Sequence, residues 1–197
     1  MISTWTENVI LVDADHLDRV AFNLIVNFER MLGRRIPQAD MARWIDCVAL
    51  DGGLREGNHQ TLVTLIHDKD KQQLDNFLPS HYEKELNGQA FSDHLGEFTI
   101  SALPVEQLTT KDDFFLETLQ LVCAQKEVKR IMVVGSDHCF AAIREALRKV
   151  DDDDKRITVF SMEPQQGGNF RQEILGYSLM AALGIRGEEI NPPQDVY

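Results

Sequence analysis

Two short apolar segments that each lead into an aspartate constrain the fold of this chain more than any other feature. Residues 10–12 precede Asp13, and residues 131–134 precede Gly135-Ser136-Asp137. A nearly continuous apolar run is typical of a parallel strand in a sheet with helices on both faces. Ligands of such sheets bind beyond the carboxyl ends of the strands, so we expect both aspartates at one edge, where they could hold a divalent cation. Each could instead cap the helix that follows.

Strand and helix patterns alternate along the whole chain. Helical spacing of apolar residues is seen at 17–32, after Pro37, in short pieces at 71–77 and 81–86, and at 113–124, 138–150 and 170–183. Strand patterns lie at residues 10–12, 61–67, 97–103, 130–134 and 156–161. This alternation predicts an α/β fold, a three-layer sandwich with a mainly parallel central sheet and Rossmann-like topology. We expect a single domain with its core at about residues 8–183 and a polar tail from residue 186 to 197.

Composition narrows the class of protein. The net charge of −12 opposes long-range attraction to nucleic acid or to an anionic membrane. No apolar run approaches the ~20 residues of a membrane helix, and the first residues do not resemble a signal peptide. The three cysteines form no Cys-x-x-Cys pair, which favours reduced thiols and predicts a cytoplasmic location. The composition does not indicate a protein partner or an oligomeric state.

A third acidic segment, Lys111-Asp112-Asp113, precedes the strand that leads to Asp137. Asp113 and Glu117 are four residues apart and share one face of the predicted helix near its N-terminus. A short crossover could bring Asp113 close to Asp137. Asp112 or Asp113 taken alone would more often be a helix cap.

Taken in order, these segments resemble the NYN domain, a branch of the PIN-like nuclease superfamily. That family has a first strand ending in Asp, a Lys-x-x-Asp helix segment, and a later strand ending in Ser-Gly-Asp-Ser-Asp-Phe. The matching stretches lie within residues 11–16, 111–116 and 135–140, and the resemblance spans roughly residues 8 to 162. Three positions depart from the pattern. His16 stands at the Asn-like position, unless the register is shifted onto Asp15, and Cys139 stands where the family has a second Asp. A further acidic position of the middle helix falls near Leu119, where Glu117 could substitute from a neighbouring turn.

The resemblance implies a PIN-like fold and a ribonuclease that depends on Mg²⁺ or Mn²⁺, with RNA as the expected partner. Asp13, Asp113 and Asp137 would be the catalytic residues and metal ligands. Secondary roles would belong to the neighbouring acidic and imidazole side chains, Asp15, Glu117, His16 and His138. Adjacent helical residues point about 100° apart, so a catalytic pair of His138 and Cys139 is not expected.

Two alternatives remain open at this point. A PIN-like domain that has lost catalysis could bind nucleic acid or protein. The Asp13-Ala14-Asp15 element also resembles haloacid dehalogenase-like phosphatases, in which Asp13 would be the nucleophile and Asp15 a general acid. Leu17 and Ala141 depart from that family's pattern. His67-Asp68 ends another strand and is a candidate to line the cleft. Gly167-Gly168-Asn169 could cradle a phosphate, although a simple turn is commoner.

Overall fold

The computed structural model describes residues 4–191. Its strands, in chain order, are β1 (Asn8–Asp13), β2 (Ala39–Asp40), β3 (Gln60–His67), β4 (Phe77–Leu78), β5 (Ala90–Asp93), β6 (Gly96–Pro104), β7 (Arg130–Val134), β8 (Arg156–Ser161) and β9 (Arg171–Ile174). Its helices are α1 (Ala14–Leu32), α2 (Met41–Asp51), α3 (Lys111–Cys123), α4 (Phe140–Arg148), α5 (Leu175–Ala182) and α6 (Gly187–Ile190). No helix in this part of the chain is long and apolar enough to cross a membrane.

Seven strands form the central sheet in the order β5-β6-β3-β1-β7-β8-β9, and β2 pairs with β4 separately. All neighbours in the central sheet are parallel except β5 and β6. From β1 the chain extends first to one side, through β3 and β6, and then to the other, through β7, β8 and β9. The strand order therefore reverses at β1, which leaves a crevice between the carboxyl ends of β1 and β7.

Helices cover both faces of this sheet and confirm the predicted three-layer sandwich. Alternate side chains of β1 point to opposite faces: Ile10 and Val12 pack with α1, α2 and α5, whereas Val9 and Leu11 pack with α3 and α4. All four are fully buried. A strand buried on both faces needs apolar residues at every position, which explains the continuous run in the sequence.

Local sequence sets the ends of the longest helix. The Asp13 side chain accepts a hydrogen bond from the His16 backbone N–H and caps the start of α1. Gly33 ends the helix with φ of 65°, a left-handed conformation that glycine adopts without steric cost. The first turn of α1 is therefore anchored directly at the end of β1.

Several predicted elements differ in the structure. Residues 71–77 contain no helix, residues 82–86 form one π-helical turn, and α2 starts at Met41, where Asp40 provides the cap. The segment predicted as a helix over 170–183 is the edge strand β9 followed by α5. The antiparallel strand β5 had no counterpart among the predicted strands. Within the predicted polar tail, residues 187–190 form α6 and residues 192–197 lie outside the described part of the chain.

Candidate active site

Asp13 lies at the end of β1, at the crevice where the strand order reverses. The residue is 3% exposed. Its Oδ1 atom accepts the His16 backbone N–H at 3.1 Å and lies 3.5 Å from Nζ of Lys111. The capping interpretation of Asp13 is therefore confirmed. The same carboxylate also contacts a cationic side chain of α3, so it belongs to a cluster of charged groups.

Lys111 is the centre of that cluster. Its ammonium lies 3.5 Å from Asp13, 3.4 Å from Asp15 and 3.8 Å from Asp68. The Asp68 backbone N–H also donates to Asp15 Oδ2 at 2.7 Å, which ties the end of β3 to the start of α1. Burial alone would lower the pKa of Lys111, but the three carboxylates outweigh it and raise that pKa. One ammonium among three carboxylates leaves two formal negative charges.

A second part of the crevice contains buried polar atoms without partners. Asp137 Oδ1 and His16 Nε2 are both inaccessible to solvent and form no hydrogen bond with any described residue. Burial lowers the pKa of the His16 imidazole, against the raising influence of Asp13 and Asp137. The lowered pKa favours the neutral imidazole near pH 7, and its Nε2 has no partner among the described residues, while the nearby carboxylates of Asp13 and Asp137 act on the ring electrostatically.

Asp112, His138 and Cys139 form a further cluster between the start of α3 and the end of β7. The His138 Nε2–H donates to Asp112 Oδ2 at 2.9 Å. Within residues 4–191, this is the only group of three or more carboxylate, imidazole or thiol side chains whose donor atoms all lie within 4.8 Å of one another. Burial would raise the pKa of Asp112, but hydrogen bonds from His138 and Cys139 reverse that effect. Burial, followed by the Asp112 carboxylate, raises the pKa of the Cys139 thiol, although Ser136 opposes it.

The structure brings most of the predicted site residues to this edge, but not Asp113 or Glu117. Both are exposed on α3. The Asp113 backbone N–H donates to the capping Thr110 hydroxyl, and its carboxylate forms no hydrogen bond or salt bridge among the described residues. The α3 residues that contact the site are Lys111, which lies beside Asp13, and Asp112, which accepts a hydrogen bond from His138.

Asp68 lies at the site, as the strand-end position of His67-Asp68 had indicated. Three contacts were missed in the sequence: the central position of Lys111, and the approach of Asp112 and Cys139 to His138. Lys111 and Asp112 directly precede Asp113 and lie in the same acidic segment, which was the available signal. Within residues 4–191, the Gly167-Gly168-Asn169 turn forms no hydrogen bond or salt bridge with these site residues; the Gly167 carbonyl accepts from Gln172 instead.

Basic side chains line the cleft beside the acidic cluster. Arg19 and Lys71 border the depression next to Asp15 and Asp68, and Lys69 and Lys71 border the adjoining one next to Lys111. Phe22, which is 53% exposed, lies on the wall of the first depression. Carboxylates border the same two depressions, Asp18 and Asp75 in the first and Asp70 and Glu106 in the second, so the cleft carries charges of both signs.

The chain belongs to DUF6621, a family of unknown function whose model matches residues 2–190. No curated protein and no solved structure matches the chain. What the site can do chemically is therefore inferred from its own residues.

Proposed function

We propose that this protein is a ribonuclease of the NYN type that depends on Mg²⁺ or Mn²⁺ and acts in the crevice between β1 and β7. The observation that carries the proposal is the pair of buried atoms without partners, Asp137 Oδ1 and His16 Nε2, beside the nearly buried Asp13. Leaving a buried polar atom unsatisfied costs about 1–3 kcal/mol. Two such atoms lie where ligands of α/β sheets bind, which favours a site in which a bound cation and a substrate would provide the missing partners.

The donor set fits a hard divalent cation. Asp13 and Asp137 would hold it, because Mg²⁺ and Mn²⁺ prefer oxygen ligands and retain several waters. The Asp113 carboxylate, which the NYN resemblance implies as a ligand, forms no hydrogen bond or salt bridge with the site among the described residues, so it is left out of this donor set. When bound, the cation would lower the pKa of the attacking water and neutralise charge on the phosphate.

His16 supplies a group that can accept a proton. Its pKa is lowered by burial, so the imidazole is neutral near pH 7, and its Nε2 is free. A neutral imidazole held next to the reacting phosphate can take the proton of an attacking water as a general base. The buried Asp13 and the partly buried Asp137 would stabilise the imidazolium that forms.

With a bound cation offsetting the excess carboxylate charge, Lys111 and the cationic side chains of the cleft would supply the groups that recognise phosphate. The Lys111 ammonium is held by Asp13, Asp15 and Asp68, so it is positioned before a substrate arrives. Arg19, Lys69 and Lys71 border the cleft leading away from it. A polynucleotide presents several phosphates to these cationic side chains, whereas a small phosphomonoester presents one, and this favours a polynucleotide substrate.

Asp15 weighs against the phosphatase alternative. In that reading Asp15 is the general acid that protonates the leaving group. Its Oδ2 instead accepts the Asp68 backbone N–H and contacts the Lys111 ammonium. Both contacts favour a carboxylate that accepts hydrogen bonds over an acid that donates one.

The proposal is tested with end-labelled single-stranded RNA incubated with Mg²⁺, Mn²⁺ or EDTA. We expect cleavage by the wild type that requires the cation and falls by at least about 100-fold in Asp13→Asn/Asp137→Asn. The matched control is Asp153→Asn/Asp154→Asn, which removes the same charge from an exposed turn and should retain activity. RNA binding without cleavage would indicate the binding-module alternative, and hydrolysis of p-nitrophenyl phosphate alone would indicate the phosphatase. Either result would overturn the ribonuclease proposal.

A further inference from the structure

We propose that Asp112, His138 and Cys139 form a binding site for a borderline-soft transition metal, with Zn²⁺ as the expected ion. This site uses none of the ligands assigned to Mg²⁺ or Mn²⁺ in the crevice. It therefore does not depend on the proposed ribonuclease activity.

The spacing of the three side chains fits a tetrahedral ion. Zinc lies about 2.0–2.3 Å from nitrogen, oxygen and sulfur ligands, so tetrahedral ligand atoms are about 3.3–3.8 Å from one another. The three donor atoms here all lie within 4.8 Å of one another, and His138 Nε2 and Asp112 Oδ2 are 2.9 Å apart. That pair would have to open by about half an ångström around an ion, which exposed side chains can do by small rotations. The His138 and Asp112 side chains are 68% and 41% exposed.

The types of donor determine which metal the cluster prefers. A thiolate and an imidazole favour Zn²⁺ over Mg²⁺, which binds oxygen ligands almost exclusively. Cys139 stands where the NYN pattern has an Asp, so this chain carries a sulfur donor at a position where that pattern has an oxygen donor. Three protein ligands leave the fourth tetrahedral position open, which is typical of zinc sites that bind water or substrate.

The elements that carry the three ligands hold them together before an ion arrives. Asp112 is fixed by the capped first turn of α3, and Cys139 is buried at 6% exposure in the 3₁₀ turn Asp137–Cys139. The Cys139 backbone N–H donates to the Ser136 carbonyl at 3.0 Å and closes that turn. The ligands therefore come from two anchored segments, and little chain ordering would accompany binding.

Metal binding would replace protons that now bridge the ligands. The Cys139 thiol would lose its proton to solvent and bind as thiolate. His138 Nε2 must lose its proton to bind the ion. If the ring is neutral, its proton moves to Nδ1; if the ring is an imidazolium, one proton is released to solvent. Asp112 is already an ionised acceptor of hydrogen bonds. At least one proton is thus released for each ion bound.

The test is titration of tag-free protein with Co²⁺, which occupies zinc sites and gives a near-ultraviolet charge-transfer band when bound to a thiolate. We expect the wild type to develop this band with one equivalent of Co²⁺ and to lose it when Zn²⁺ is added. Cys139→Ser should lack the band, and His138→Asn should weaken binding by at least about tenfold. Cys123→Ser is the matched control because Cys123 lies at the far end of α3, and it should retain the band.

The outcomes distinguish metal binding at Asp112, His138 and Cys139 from metal binding in the crevice. Asp13→Asn/Asp137→Asn should retain the cobalt–thiolate band even though it loses Mn²⁺ binding and cleavage. No band in the wild type, or a band that persists in Cys139→Ser, would overturn the zinc proposal. A far-ultraviolet circular dichroism spectrum identical to wild type for Cys139→Ser shows that loss of the band is not loss of the fold.

Discussion

Replacing Lys111 by methionine removes the ammonium that lies within 4 Å of Asp13, Asp15 and Asp68. At 3.4–3.5 Å, each of the two closer pairs is worth about 5 kcal/mol in an effective dielectric constant of 20, before desolvation is subtracted. Desolvation cancels much of this attraction in the folded protein. Removing one partner of a largely buried ion pair nevertheless costs about 3–5 kcal/mol, because the remaining charges lose their compensation.

We therefore expect Lys111→Met to lower the free energy of unfolding by about 3 kcal/mol in EDTA. For a chain of this length, that corresponds to a fall in Tm of about 6–12 °C. The freed carboxylates should then bind a divalent cation in place of the ammonium. At a hundred times the dissociation constant, the cation would restore about 2.7 kcal/mol. Mg²⁺ should thus raise the Tm of Lys111→Met more than that of the wild type.

The assay is thermal and urea unfolding with and without MgCl₂. Lys126→Met is the control, because Lys126 is exposed on the turn between α3 and β7, and it should change stability by less than about 0.5 kcal/mol. If Lys111→Met were as stable as this control, or if Mg²⁺ stabilised both proteins equally, the cluster around Lys111 would not have the electrostatic role assigned to it.

Three further predictions concern stability. Burial and the nearby Asp93 carboxylate raise the pKa of Asp46 from 3.8 to about 7. The stability that the protonated Asp46 side chain contributes is therefore complete below pH 4 and is lost as pH rises through 7. In urea unfolding at pH 8, Asp46→Asn should be about 1–2 kcal/mol more stable than the wild type, after allowance for screening by solvent. Gly33→Ala should cost about 1 kcal/mol through its φ of 65°, whereas Gly187→Ala, which also has open space at Cβ, should cost less in the same thermal scans. Asp137→Asn should raise stability in EDTA by about 1 kcal/mol, because it removes the negative charge from a side chain whose buried Oδ1 has no partner, while abolishing cation binding; unchanged or lower stability would contradict that reasoning.

The parts of the fold that the sequence revealed are those buried on both faces. β1 and β7 are apolar at almost every position, and they were predicted within a few residues. β9 was predicted as the start of a helix because its four residues, Arg171–Ile174, are partly exposed at the sheet edge and show no apolar run. The antiparallel β5 is also mostly exposed and shows no apolar run, so it was not predicted. Edge strands depend on pairing with a neighbour, and local pattern carries little information about that pairing.

The candidate site could also be predicted only in part from the sequence. Asp13 and Asp137 follow strands, and the ends of parallel strands are fixed by the sheet. Asp113 was chosen over Lys111 and Asp112, but which residues in the first turn of α3 face the sheet depends on how the helix packs against it. Cys139 was set aside because neighbouring residues diverge in a helix. That angle does not prevent both His138 and Cys139 from reaching Asp112, which comes from another helix.

The most direct test of the central claim is calorimetric titration with Mn²⁺ in a Cys139→Ser background, so that the neighbouring cluster does not contribute a thiolate. We predict one bound equivalent in this background and in the Asp153→Asn/Asp154→Asn control. Binding should disappear in Asp13→Asn/Asp137→Asn. Absence of binding at millimolar Mn²⁺, or binding that survives removal of both crevice carboxylates, would contradict a metal-dependent site between β1 and β7.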